Sequence, residues 1–455
     1  MSADTTISRE SLINSREGER TVLRFAQNRP RAPMNQSFPE RPRISVILPV
    51  WNPGPEIDRC IASLRGQTFQ DIEMIFVDDR GTDDAMERIQ AAAAEDPRIR
   101  ILENPENMGP GPSRNRGIEA AKGAYLSFID PDDYIAPDFY ERLYAKVISG
   151  DYDIAKGIRI KVDLKSGDSS IQELNENIQK GLNRGIPLFT LFSWQHQTAI
   201  YKKELFDDKK VRYGTSRNGQ DVTFLLIVCK KARNIIFDDD AVYYYVQRPG
   251  SQTAAFTAQR CQYELDSLSE RIDFLLSENM DRYDYQYLII NLTAHISNIC
   301  RVISEGSLSD GQKAELVNFL RQQIMRIPDL NQIKTGSVEL KILMDHQKLI
   351  PVYNFEPNEF HYDRVRCWVD FLSEHPEIKE KRIWAGFDFA LVDVIFPKKK
   401  TSGKPYFFGR RYFGFIWKQI GRLSRRQRIL MLRYSSPALK RAKKNIYQLI
   451  RSREK

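Results

Sequence analysis

Asp130, Asp132 and Asp133 end the apolar run Ala124-Tyr-Leu-Ser-Phe-Ile129. Pro131 breaks the strand pattern there, and Pro137 closes the turn before the next helical pattern. Carboxylates crowded at a strand end repel one another unless a cation sits between them. Hard oxygen ligands suit Mg²⁺ or Mn²⁺, and Mg²⁺ reaches substrate phosphates through only one or two carboxylates. An Asp-Pro-Asp-Asp turn is also an ordinary surface turn, so its neighbours decide between the two. Three other predicted strand ends carry polar groups: Pro49-Val-Trp-Asn52, Val77-Asp-Asp79 and Asn104-Pro-Glu-Asn-Met-Gly109. Ligands of open α/β sheets bind at such carboxyl ends. The segment Gly109-Pro-Gly-Pro-Ser-Arg-Asn-Arg-Gly117 has Arg114 where a dinucleotide loop has its third glycine, and it lacks the Gly-Lys-Ser/Thr of a P-loop. Dinucleotide enzymes and P-loop NTPases are therefore disfavoured. Arg114 and Arg116, opening a helix, either meet a diphosphate or stand as solvated helix arginines.

The elements that must position these groups alternate. Ile44–Val50, Glu73–Asp79, Ile99–Leu102 and Tyr125–Ile129 read as strands. Ile57, Cys60, Ile61 and Leu64 fall at helical spacing, as do Met86, Ile89 and Ala93, and Ser113–Lys122 reads as a third helix. That spacing predicts βαβ units on a mostly parallel sheet. Further on, Ile154–Val162 reads as a strand. Ile235–Phe237 and Val242–Val246 read as a strand pair, with Asp238-Asp-Asp240 as the turn between them. Beyond Thr257 the pattern is helical to about Trp384, with Leu265, Leu268, Ile272, Leu275 and Leu276 on one stripe.

A length of 455 residues predicts two or three domains, and a hydrophobic content of 41% supports a full core. The five cysteines are scattered without a Cys-x-x-Cys pair, which fits reduced thiols rather than disulfides or zinc. The histidines show no metal spacing. Residues 1–43 are polar and lack the apolar core of a signal peptide. No run approaches the length of a membrane span; Phe389–Phe396 is short and carries Asp393. The expectation is a cytoplasmic protein, or one bound to the cytosolic face of a membrane.

Residues 44–133 closely resemble the nucleotide-sugar half of the family 2 glycosyltransferases, which have a GT-A fold. The resemblance is carried by Ile44-Ser-Val-Ile-Leu-Pro-Val-Trp-Asn52, Cys60-Ile-Ala-Ser-Leu-Arg-Gly-Gln-Thr68, Phe76-Val-Asp-Asp-Arg-Gly-Thr-Asp83, Asn107-Met-Gly109, Ser113-Arg-Asn-Arg-Gly117 and Asp130-Pro-Asp-Asp133. It continues in Gly219-Gln-Asp-Val-Thr-Phe224 and Tyr243-Tyr-Tyr-Val-Gln-Arg-Pro-Gly-Ser251. The resemblance implies that Asp79 reads the nucleotide base, with the backbone from Pro49 to Trp51 lining its pocket. Asp130 would face the ribose, and Asp132 would be the metal ligand of an Asp-x-Asp signature. Asp133 would support that site or hold the following helix. Arg248 and Ser251 resemble a segment closing over the diphosphate, and Trp194 and His196 lie on the acceptor side, where either residue equally suits core packing. Asp221 would be the base of an inverting transfer; its bland reading is a helix N-cap. Gln220 stands where the family has glutamate, which removes a like charge that would raise the pKa of Asp221.

The implied arrangement is a GT-A nucleotide-sugar-binding domain at 44–255 with a mostly parallel, Rossmann-like sheet. A polar extension at 1–43 precedes it, a helical domain at 256–397 follows, and a basic amphipathic tail occupies 398–455. The tail has 19 Lys and Arg against Glu454 alone, a balance of +18, leaving 50 basic and 59 acidic residues before it. Phe413, Ile416, Trp417, Ile420 and Leu423 share one helical face, and Arg411, Lys418, Arg422 and Arg425 the other. This pattern describes a helix lying on an anionic membrane and disfavours nucleic acid as a partner. The expected function is metal-dependent (Mn²⁺ or Mg²⁺) sugar transfer from a nucleoside diphosphate, UDP by default. The acceptor would be a glycan or lipid-linked glycan in polysaccharide biosynthesis. The rival is a noncatalytic scaffold of a glycan assembly machine that keeps the nucleotide-sugar fold.

Overall fold

The computed structural model describes residues 42–328 apart from short stretches, the longest being 164–168, 248–256 and 296–308. The expected alternation is present. Strand β1 (Ile44–Val50) leads to α1 (Glu56–Arg65), β2 (Ile72–Asp78), α2 (Ala85–Glu95), β3 (Ile99–Glu103), α3 (Pro110–Ala120) and β4 (Tyr125–Phe128). Helix α3 starts three residues before its predicted first residue. Pro110 at its first turn has a fixed φ suited to a helix and no N–H to leave unpaired. Short β5 (Tyr134–Ile135), α4 (Phe139–Ile148), β6 (Ile154–Asp163), β7 (Ser169–Ile171), α5 (Asn175–Leu182), α6 (Leu188–Leu191) and β8 (Ala199–Lys202) follow. Then come α7 (Gln220–Lys231), β9 (Ile235–Gln247), α8 (Ala258–Leu276) and α9 (Asp310–Arg326).

The strands form one sheet in the order β3-β2-β1-β4-β8-β6-β9-β5, with β7 beside β6. Pairs β2–β3, β1–β2, β1–β4 and β6–β9 are parallel, whereas β4–β8, β6–β8, β5–β9 and β6–β7 are antiparallel. The sheet is therefore mixed, not mostly parallel. Periodicity detects strands but carries no information on their direction.

Asp238–Asp240 is not the turn of a strand pair but lies inside the single strand β9, where the register against β6 shifts between Lys156 and Ile158. A bulge takes up the extra residues. Arg142 approaches Asp238 and Asp240, and Asn175 Nδ2 donates to Asp239 at 2.8 Å. Three acids interrupt the apolar alternation, and that interruption mimics a turn.

The main core lies on one face of the sheet, where Ile44, Val46, Leu48, Met74 and Phe76 pack under Ile57, Cys60, Leu64, Ile89, Phe139 and Leu143. Cys60, Cys229 and Cys261 are free, buried thiols. The chain divides into two compact units. The first includes the sheet and also Asp266–Phe274 of α8. The second includes Thr257–Leu265 and α9. Among the described residues, no helix is long and apolar enough to cross a membrane. The tail at 398–455 lies outside the described residues.

Candidate active site

The loops after β1, β2, β3 and β4 come together at the carboxyl end of the parallel strands. Pro49 is buried within β1, paired with Val77, and Trp51 stands 47% exposed just beyond the strand end. Asn52 (φ 47°) and Arg80 (φ 60°) both take left-handed backbone conformations, unusual for residues with a Cβ. Asn52 Oδ1 accepts the Thr82 and Asp83 N–H groups at 2.6 and 3.2 Å, binding the first loop to the second.

Asp79 is 2% exposed and spends its carboxylate on the third loop. Its oxygens accept Asn104 Nδ2–H at 2.8 Å and the Met108 and Gly109 N–H groups at 2.7 and 2.9 Å. Its carboxylate thereby anchors residues 104–109.

The three turn carboxylates separate into different environments. Asp130 accepts Arg114 Nη2–H at 2.6 Å on one oxygen and Gln197 Nε2–H at 2.8 Å on the other. Burial pushes its carboxyl up, but the Arg114 charge and the hydrogen bonds from Arg114 and the Gln197 amide outweigh burial and hold it below the usual aspartate range. Asp132 sits half-buried at the turn, and its carbonyl accepts Arg59 Nη2–H at 3.2 Å. Asp133 is fully buried and holds β9 rather than the following helix. It accepts the Tyr243 hydroxyl at 2.6 Å and the Val246 N–H at 2.8 Å. Burial and the neighbouring Asp132 and Asp130 charges push its carboxyl well up.

Among the described residues, no three His, Cys, Asp or Glu side chains converge as a metal site. The turn still fits a hard divalent ion, because such an ion is commonly held by one carboxylate plus phosphate oxygens.

Arg114 is not a solvated helix arginine. It is 4% exposed, pairs with Asp130 and lies over the Tyr213 ring at 5.1 Å. Arg116 is exposed and donates to Asn104 Oδ1 at 3.2 Å.

Asp221 is not the helix N-cap. Gly219 caps α7 in the left-handed region (φ 81°), and Asp221 is the second helical residue. Burial pushes its carboxyl up; Arg114 opposes this and Asp130 adds to it. The like charge that adds to this push is Asp130, from another element, in place of the chain neighbour at position 220.

His196 is packed among other rings. It is 1% exposed, with its ring 5.4 to 6.3 Å from those of Tyr213, Phe128 and Phe224. Burial and the Arg114 charge hold its pKa well below the usual value, so the ring is neutral. Its aromatic neighbours lie far apart in sequence, so nothing local reveals the packing. Trp194, Arg248 and Ser251 lie outside the described residues.

Gln197, Tyr213 and Tyr243 enter the site without having been singled out by the sequence for these roles. The aromatic strand 242–246 was visible, but not its partner Asp133, 110 residues earlier. Arg114 Nε and Nη1, Tyr213 Oη, Gln197 Oε1, Gln220 Oε1 and both His196 nitrogens are buried without a hydrogen-bond partner among the described residues. Such groups cost stability and are tolerated mainly at functional sites.

A model described as glycosyl transferase family 2 matches residues 45–208. Glycosyltransferase GlyG of Streptococcus pneumoniae is 31% identical over 225 residues, which is 46% of this chain and 72% of the relative. A poly(ribitol-phosphate) beta-glucosyltransferase of Bacillus spizizenii is 25% identical over 311 residues, and the match spans 66% of this chain but 48% of that protein. The crystal structure of S. aureus TarS 1-349 in complex with UDP-GlcNAc has a TM-score of 0.52 at 20% identity, covering 81% of this chain and 99% of that one. Likeness at that level speaks to the fold, a mixed sheet with flanking helices of the GT-A glycosyltransferase kind. The chain belongs to glycosyl transferase family 2, and it is a glycosyltransferase.

Proposed function

We propose that this chain moves a sugar, with inversion, from a nucleoside diphosphate (UDP by default) to a glycan or lipid-linked glycan acceptor. The observation that carries the reading is Asp221, a carboxyl raised by burial that shares one charge cluster with Arg114 and Asp130. A base poised above the ordinary aspartate range is suited to taking a proton near neutrality. Asp221 accepts the acceptor hydroxyl proton while that oxygen bonds to the anomeric carbon. The bond from that carbon to the diphosphate breaks, and its electron pair leaves with the diphosphate.

Trp51, the Pro49 backbone and the 104–109 loop anchored by Asp79 form the base pocket, and Asp130 faces the ribose. A divalent ion (Mn²⁺ or Mg²⁺) held through Asp132 would neutralise the leaving diphosphate. Arg248 would add charge over the diphosphate, and Trp194 would contact the acceptor. The tail at 398–455, basic with an apolar helical face in its sequence, would hold the enzyme on the cytosolic side of an anionic membrane.

The test is a panel of nucleoside-diphosphate sugars assayed for turnover with Mn²⁺, Mg²⁺ and EDTA, using the parent and Asp221→Asn. Divalent-dependent turnover that falls about 10² to 10⁴-fold in the variant is expected. Near-parental turnover in Asp221→Asn would remove the base assignment.

A further inference from the structure

Asp221 follows a loop, residues 212–219, that is held at three points. At its start, Asn115 on α3 exchanges two hydrogen bonds with the Tyr213 backbone at 2.8 and 2.9 Å. In its middle, Glu270 Oε1 accepts the Thr215 N–H and hydroxyl, both at 2.8 Å, and the Ser216 N–H at 3.3 Å. At its end, the Ser267 hydroxyl donates to the Gly219 carbonyl at 2.7 Å and meets Thr223 Oγ1 at 3.0 Å. Ser267 is fully buried. Ser267 and Glu270 lie at i and i+3 of α8, on one helical face, and both belong to the stretch of α8 that packs as part of the sheet unit.

The contacts are close enough to control geometry. Gly219 turns the chain into α7 with φ 81°, and a Cβ there would stand 2.9 Å from Ser267 Oγ. The Gly219 carbonyl also accepts the Val222 and Thr223 N–H groups at 3.0 and 3.2 Å. The atom held by Ser267 is therefore the one that closes the first turn of α7, the turn that carries Asp221. At the other contact, a Cβ on Gly214 would collide with Glu270 Oε2.

We propose that Ser267 and Glu270 are positioning residues for Asp221: α8 clamps the loop and fixes the direction of the base. The proposal rests on the reading of Asp221 as the base. It places part of the catalytic apparatus in a helix beyond residues 45–208, the span of the family match. A base displaced by about 1 Å loses on the order of 10²-fold in rate, while binding of a donor it does not touch is spared.

The full-length protein is assayed with the nucleotide sugar that the parent turns over, and UDP binding is followed by calorimetry. Ser267→Ala and Glu270→Ala are expected to lower kcat roughly 10- to 100-fold with UDP affinity within about twofold. Glu270→Gln is expected to recover most of that loss, because its amide oxygen still accepts the same N–H and hydroxyl groups. Parental kcat in both alanine variants would overturn the proposal. So would parallel loss of kcat and UDP affinity, which marks general damage, or a Glu270→Gln variant as slow as Glu270→Ala. Asp221→Asn separates the two ideas. If it is inactive while the alanine variants are normal, only the clamp fails; if it is active, the base assignment itself fails.

Discussion

Asp221→Asn should make the protein more stable while making it inactive. Two opposing effects set the sign. A carboxylate in the first turn of α7 interacts favourably with the helix N-terminus, worth about 0.3–1 kcal/mol. Burial and the Asp130 charge act against it, and they outweigh both the helix end and Arg114, since the net displacement of the carboxyl is upward. A group whose folded-state pKa is raised binds its proton more tightly when folded. Its ionised form therefore costs stability above the folded value, and the cost disappears below the unfolded aspartate range near ~3.9. Asparagine keeps the shape and removes the charge. The expected gain at neutral pH is on the order of 1 kcal/mol, the scale on which relieving a functional site commonly stabilises a protein, and it should shrink toward nothing as the pH falls to about 3, below the unfolded aspartate value. Urea denaturation of parent and variant at both pH values, with unchanged m, reads this directly. A variant destabilised by about 0.3–1 kcal/mol at neutral pH would show Asp221 to be a favourable helix-end charge, and the reasoning would be wrong.

Arg114→Met should cost about 2–3 kcal/mol by chemical denaturation, because it leaves the half-buried Asp130 without its cation; a loss under 1 kcal/mol would mean that the pair is not felt. Asp133→Ala should cost about 2–5 kcal/mol, as it strips the Tyr243 hydroxyl and the Val246 N–H of their acceptor. Asp133→Asn keeps one acceptor and should lose less than half of that, so equal losses in a thermal melt would deny the hydrogen-bonding role. UDP binding measured by calorimetry should weaken sharply with EDTA and in Asp132→Asn, and equal affinity with and without metal would reduce the acidic turn to a structural one. Full-length protein should sediment with anionic vesicles, partly resisting high salt, and deletion of 398–455 should abolish this. Pelleting unaffected by the deletion would refute the membrane role of the tail.

The strand–helix alternation from Ile44 to Phe128 was legible because each element buries a simple periodic face. Ile57, Cys60, Ile61 and Leu64 on α1 are all buried, as the 3.6-residue spacing requires. Strand direction was not legible, and neither were β5, β7 and β8, which are too short to show a period. The bulge in β9 was misread as a turn because an acidic interruption of an alternating strand looks the same in either case. At the site, the sequence marked the residue types and their order: an arginine-bearing helix start, an acidic turn and a glycine shortly before Asp221.

Which charge meets which was decided in three dimensions. Asp130, Asp132 and Asp133 are nearly adjacent in sequence, yet one pairs with Arg114, one stands at the turn and one is buried under Tyr243. Arg114 changes from a candidate surface cation to a buried one only because Tyr213 and Asp130 close over it. Asp221 gains its raised pKa from burial and from Asp130, not from its chain neighbour Gln220. Periodicity and turn chemistry are local and can be read along the chain. Desolvation and pairing depend on distances between segments about 100 residues apart, and those distances exist only once the sheet has formed.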